Sequence, residues 1–216
     1  TQFVAKDKIP TLSASYSAHI SDPKTAPYNF FVASDYTTQL RGGLQFFRDS
    51  WKETRAPRLA LIYPDHPYGK APIDGGEENV ALGALDSTAQ LLAIKDKQPD
   101  FVWVGGTTSS TAVILKDAQK LGIKTTFLTN IWGVDENIFK LAGPAAEGVY
   151  TLQTSAVSGA DVPGMKVIEQ INGGEPQMTH YTRGFASMLV MAEGVKRAAA
   201  KGAVDGPSLK AALETL

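Results

Sequence analysis

Residues 101–123 read FVWVGGTTSSTAVILKDAQKLGI, and this stretch decides the fold class. Phe101–Val104 is wholly apolar and too short for a helix, so it reads as a strand buried on both faces. Gly105-Gly106 then leads into a helix from Ser110 to Leu121, which Gly122 stops because glycine takes the left-handed backbone at a helix C-terminus. The same alternation continues on both sides. Upstream, Arg58–Tyr63 (RLALIY) is a second buried strand, and Ser87 with Gln90 forms a capping-box pattern opening a helix through Leu91, Leu92 and Ile94. Further back, Leu40, Leu44, Phe47 and Trp51 recur at helical spacing from Thr37 to Trp51, with Asp35 as the N-cap. Downstream come a strand at Thr125–Thr129, a short helix at Asp135–Leu141 and a strand at Gly148–Leu152. Repeated strand–helix units with buried strands predict an α/β fold with a parallel sheet covered on both faces.

The outer parts follow the same reading. Pro10–Leu12 and Asn29–Val32 are short strands, and the chain beyond Leu152 is helical around Val162–Ile171, Tyr181–Ala200 and Pro207–Leu216. Met165, Met178, Met188 and Met191 read as core filling. One unit is abbreviated: between Tyr63 and Ser87 a helix and a returning strand are due, yet the strand slot at Asn79–Leu82 is short and partly polar. A parallel crossover needs ~10–12 residues including its helix.

Composition excludes several classes. The 216 residues are 43% hydrophobic and 20% charged, ordinary for a soluble globular protein. With 21 basic and 22 acidic residues the net charge is -1, which argues against nucleic acid as a partner. No apolar run approaches the roughly 18–20 residues needed to span a bilayer, so no membrane insertion is expected. No cysteine is present, which removes disulfides, thiolate metal sites and cysteine nucleophiles. His19, His66 and His180 form no metal-binding spacing, so neither metal nor cofactor is expected.

In open parallel sheets ligands sit beyond the carboxyl ends of the strands, which directs attention to the loops there. The loop after FVWV, Gly105 to Thr111, offers small residues, hydroxyls and a helix N-terminus to an anion such as a carboxylate. It lacks the lysine and glycine spacing of a nucleotide loop. Equally, Ser109 or Ser110 could simply cap the helix. Ser13, Ser15, Tyr16 and Ser17 supply uncharged hydroxyls suited to a polar ligand, or form an ordinary turn. Tyr68 and Trp132 stand in loops at strand ends, where aromatics wall small-molecule pockets or serve as core. Asp65-His66 resembles an acid–base pair, but no serine lies in a nucleophile elbow.

Taken in order, the segments IPTLSASYS (9–17), APYNFFVASDYTTQ (26–39), LALIYPDHPYGKAPI (59–73), residues 99–123 and FLTNIWGVDENIFKLAGPAAEGVY (127–150) resemble the type I periplasmic solute-binding proteins of ABC importers. The subgroup is the branched-chain amino acid (Leu/Ile/Val) binding family with its relatives for amides and aromatic acids. The resemblance implies two parallel-sheet lobes joined by crossing strands, with a ligand cleft between them. Residues 1–34 and 154–216 would be parts of an incomplete first lobe, and 35–153 the second lobe, shortened near 74–80. A second shortening falls near Gly173-Gly174. The resemblance places Ser13, Ala14, Ser15 and Tyr16 on the ligand from the first lobe, and Tyr68, Thr107, Thr108 and Trp132 from the second. The family's acidic residue that grips the ligand ammonium falls near 130–132, where this sequence has Asn130, Ile131 and Trp132. That departure favours an aromatic or otherwise less cationic carboxylate, or an amide. Family members also carry further strand–helix units before a segment like IPTLSASYS and continue beyond a helix like the last one here. A partial chain is therefore expected, and the lack of a visible leader says nothing of compartment.

The resulting expectation is a non-enzymatic, periplasmic receptor, or an extracellular membrane-anchored one in a Gram-positive host. Its partners would be a small-molecule ligand and an inner-membrane ABC permease. A sensor domain of the same fold is the alternative. A small α/β hydrolase or amidase is a third reading, and it requires His66 within hydrogen-bond reach of a serine.

Overall fold

A computed structural model describes residues 2–70, 78–79 and 83–216. Along the chain run α1 (Gln2–Asp7), β1 (Thr11–Leu12), β2 (Asn29–Phe30), α2 (Tyr36–Ser50), β3 (Leu59–Tyr63), α3 (Pro67–Lys70) and β4 (Glu78–Asn79). Then follow α4 (Thr88–Lys95), β5 (Phe101–Val104), α5 (Thr108–Lys120), β6 (Thr126–Thr129), α6 (Ile138–Ala142), β7 (Tyr150–Thr151), α7 (Pro163–Ile171), α8 (Thr179–Ala200) and α9 (Gly206–Leu213). The chain divides into two units, Thr1–Asp35 with Ser155–Leu216, and Tyr36–Thr154.

In the Tyr36–Thr154 unit, five strands form one parallel sheet in the order β4-β3-β5-β6-β7. Side chains alternate across it, as a period of two demands. Phe101, Trp103 and Leu128 point to one face, where Leu40 and Phe47 of α2 cover them. Phe47 stacks on Phe101 with ring centroids 4.0 Å apart. Ala60, Ile62, Val102, Val104 and Phe127 point to the other face, under Leu91 and Ile94 of α4, the apolar stripe of α5 and Ile138 of α6. This double burial is why the strands are continuous apolar runs.

At the amino ends of the strands, the link from α2 to β3 is stapled. Arg55 grips both carboxylate oxygens of Asp100 at 2.7 Å, and the Arg58 backbone N–H adds a third bond at 2.7 Å. The Arg55 hydrogen bonds hold the Asp100 carboxyl well below the usual carboxylate range, and Arg55 is raised in turn.

Several boundaries differ from the sequence reading. Helix α5 starts at Thr108, because the Ser110 hydroxyl accepts the Thr107 N–H at 3.0 Å and so makes Thr107, not Ser109 or Ser110, the N-cap. Ser87 does precede α4, but the capping box with Gln90 does not form. Its hydroxyl and N–H are both given to Asp117 of α5, at 3.0 and 2.8 Å. Glu78–Asn79 pairs in parallel with β3, whereas the rest of the abbreviated stretch, 71–77 and 80–82, lies outside the described residues.

The other unit is mostly helical. β1 and β2 pair in parallel, and Met165, Ile168, Ala198, Ala212 and Leu213 are buried among the helices. Asp205 caps α9 by accepting the Ser208 N–H at 2.8 Å, as its place before Gly206-Pro207 favours. Of the methionines, Met165 is core, but Met178, which precedes α8 as its N-cap, and Met188 on α8 are exposed. Among the described residues no helix is long and apolar enough to cross a membrane.

Candidate functional site

The strand order dictates where a ligand would sit in the sheet unit. From β3 the chain steps outward to β4, then returns past β3 to β5 and moves on in the opposite direction through β6 and β7. Loops leaving β3 and β5 therefore diverge, and the crevice between them at the carboxyl ends is the topological switch point. Those loops carry Tyr68 and Gly106, and the β6 loop beside them carries Asn130 and Trp132.

One directed chain of hydrogen bonds ties all three loops together. Gly106 O can only accept, so the Tyr68 hydroxyl donates to it, at 2.7 Å. Tyr68 must then accept from its other neighbour, the Asn130 Nδ2, also at 2.7 Å. That orientation leaves Asn130 Oδ1 facing the Trp132 N–H, which donates to it at 3.0 Å. Burial pushes the Tyr68 phenol above its ordinary value, although the bond from Asn130 works against the rise. Tyr68 thus stays a neutral hydroxyl across the physiological range. On the β3 loop Lys70 pairs with Asp65, both largely exposed.

A second set of contacts comes from the first turn of α2. Tyr36 Oη accepts the Trp132 indole N–H at 3.1 Å, and the Tyr36 ring meets the Tyr68 ring edge-on at a centroid distance of 5.1 Å. Gln39 Oε1 accepts the Ile131 N–H at 3.0 Å. Thr108, the first residue of α5, donates its hydroxyl to Trp132 O at 3.4 Å. Among the sequence candidates, the structure therefore links Tyr68, Thr108 and Trp132 in one neighbourhood. Thr107 is occupied in capping α5.

Ser13, Ala14, Ser15 and Tyr16 lie in the other unit, in the loop leaving β1. Ser13 Oγ accepts the Ser15 N–H at 3.0 Å, which closes a tight serine turn. Ser15 Oγ lies 3.4 Å from Ser17 Oγ. Tyr16 is buried, with its ring tilted against Phe31 at 5.4 Å. Ser13 and Ser15 thus stand at a strand's carboxyl end as small hydroxyl groups.

Tyr36, Gln39 and Asn130 were not among the sequence candidates. Tyr36 and Gln39 sit on a helix whose apolar stripe was legible, and nothing local distinguishes a buried Gln from an exposed one. Asn130 carried a signal, since an amide directly after a buried strand stands where its backbone leaves the sheet. His66 is exposed; its Nδ1 accepts the Tyr68 N–H at 3.2 Å, and no described serine bonds to it. The geometry a hydrolase requires is therefore not made there.

The unit is a doubly wound parallel α/β lobe whose switch-point loops carry an amide, hydroxyls and aromatics, and no metal-binding cluster lies among the described residues. Residues 1–216 match the periplasmic binding protein family, and the chain belongs to it, with the type I fold of parallel α/β sheets. The Leu/Ile/Val-binding protein of Escherichia coli K12 is 28% identical over 130 residues, which is 54% of this chain and 35% of that protein. The structure of a branched-chain amino acid ABC transporter protein from Thermus thermophilus with bound valine superposes with a TM-score of 0.85 at 24% identity, over 98% of this chain and 60% of that one. A fatty acid ABC transporter substrate-binding protein from Thermomonospora curvata gives a TM-score of 0.88 at 17% identity, over 99% of this chain and 59% of that one. The chain thus spans about a third of that curated relative and about three-fifths of these solved structures.

Proposed function

We propose that this chain belongs to an extracytoplasmic solute receptor that captures a small carboxylate or amide and presents it to an ABC permease in the membrane. Capture is by closure of two lobes over the ligand. Ser13, Ala14, Ser15 and Tyr16 serve from the first lobe, and Tyr68, Thr107, Thr108 and Trp132 from the second, without catalysis or a cofactor. The receptor works in the periplasm, or at the outer surface of a single-membrane host.

The observation that carries this reading is the neutral, directed network Asn130–Tyr68–Gly106 at the switch point. It offers fixed polar groups and an aromatic wall, the furniture of a binding site. A carboxylate at 130 in place of the amide could not donate to Tyr68 and would break the chain of bonds. An uncharged centre suits a ligand that brings no ammonium to this lobe, and family membership over 1–216 supports the receptor class.

A thermal-shift panel tests the reading with L-leucine, L-phenylalanine, 4-methylpentanoate, phenylacetate, phenylacetamide and urea. A compound present at 100 times its dissociation constant stabilises the folded state by ~2.7 kcal/mol. The expectation is stabilisation by a carboxylate or amide without the ammonium. Binding of aliphatic amino acids alone sinks the ligand class, and turnover of any amide or ester sinks the receptor reading.

A further inference from the structure

We propose that Tyr36, the first residue of α2, is the positioning residue that sets the orientation of Trp132, with Gln39 one turn on holding the loop beneath it. The inference rests on the reading above, in which Trp132 and Tyr68 face the ligand.

Trp132 stands in a loop, and a loop alone leaves an indole several orientations. An indole N–H that leaves water must find an acceptor, and the acceptor it finds selects the ring's orientation. Here that acceptor is Tyr36 Oη, at 3.1 Å. Tyr36 is itself 1% exposed and sits on a helix packed against the sheet, so its hydroxyl is a fixed point rather than an adjustable one. The Tyr36 ring also abuts Tyr68 edge-on, with an interplanar angle of 78°. One side chain therefore braces both aromatic residues of the proposed wall. Gln39, 3% exposed, fixes the backbone one residue before Trp132 by accepting the Ile131 N–H. From the other side, Asn130 Oδ1 takes the Trp132 backbone N–H. Backbone and indole N–H are thus held separately, the N–H by Tyr36 of α2.

Tyr36→Phe isolates the hydroxyl, because the ring contact with Tyr68 is kept. In protein labelled with 15N-tryptophan, the Trp132 indole resonance, assigned with Trp132→Phe, shifts in Tyr36→Phe, while the Trp51 and Trp103 indoles hold their positions. Affinity for whichever of phenylacetate, phenylacetamide and L-leucine binds falls about tenfold. A double-mutant cycle with Trp132→Phe is non-additive, the mark of residues in direct contact. Unchanged affinity with an unmoved Trp132 resonance overturns the proposal, as does an additive cycle. Should Tyr36→Phe not fold, the unsubstituted protein still decides. Its Trp132 indole hydrogen exchanges slowly with solvent if Tyr36 holds it, and rapid exchange overturns the assignment. If no compound of the full panel binds, the proposed ligand class falls, whereas a shifted and protected Trp132 indole still supports the positioning role.

Discussion

Asp117 shows how much a single side chain can carry away from the candidate site. It lies on α5 with 5% of its side chain exposed, and it takes the N–H and hydroxyl of Ser87 as well as the Lys120 ammonium at 3.1 Å. Burial alone would raise its pKa, but the two Ser87 bonds and Lys120 together lower it below 3.8. Asp117→Ala leaves two buried Ser87 donors without their acceptor, at a cost of roughly 1–3 kcal/mol. Since the folded state binds this proton less readily than the unfolded chain, the stabilisation is present above about pH 4 and is lost as pH falls through the depressed value. Urea unfolding should therefore separate the two proteins at pH 7 and narrow their gap as pH falls below about 4; a gap that is constant with pH contradicts the assignment. Tyr68 behaves with the opposite sign. Its raised pKa makes the network stable up to the ordinary tyrosine value near 10, above which the unfolded chain ionises first and stability falls. Tyr68→Phe strands Gly106 O and one Asn130 hydrogen, costs roughly 1–3 kcal/mol at pH 7, and removes that alkaline loss. Stability to urea measured at pH 7 and pH 11 checks both effects.

Helix α2 carries a paired test in its two adjacent glycines. A Cβ on Gly43 would lie 2.6 Å from Leu128 Cδ2 and 3.0 Å from Trp103 Cζ3, both side chains being buried in the core beneath α2. A Cβ on Gly42 meets nothing within 4 Å. Gly42→Ala should accordingly stabilise by about 0.5–1 kcal/mol through helix propensity. Gly43→Val forces overpacking that costs roughly 1–3 kcal/mol. Opposite shifts in the urea midpoint are the expected result, and equal shifts would mean that α2 does not pack on the sheet at this point. The elements themselves were legible because burial on both faces writes itself as apolar runs: Phe101–Val104 and Leu59–Tyr63 appear where their composition puts them. Legibility failed where a polar residue's partner is remote in sequence. Ser87 was read against Gln90 because a capping box is local, but its partner Asp117 comes within reach only when α4 and α5 share one face of the sheet. Tyr68 and Trp132 stood out as aromatics at strand ends, whereas Asn130, Gln39 and Tyr36 earn their places from a register that only the assembled sheet defines.

At the scale of the whole molecule, hydrophobic burial is unequally shared. Both large core clusters draw their members from Tyr36–Thr154. The other unit contains the 22-residue helix α8 and a sheet of two short strands, and it exposes Phe3, Ile171, Met188 and Leu189. Less apolar area removed from water means less stabilisation, at about 25 cal/mol per Å². The three tryptophans, Trp51, Trp103 and Trp132, all lie in the sheet unit, so their fluorescence reports that unit alone. Far-ultraviolet circular dichroism reports both, with a large share from α7, α8 and α9. Denaturant unfolding should therefore fail the coincidence test for a two-state transition, with ellipticity lost at lower urea than tryptophan fluorescence. Coincident curves would instead make the two units one cooperative block.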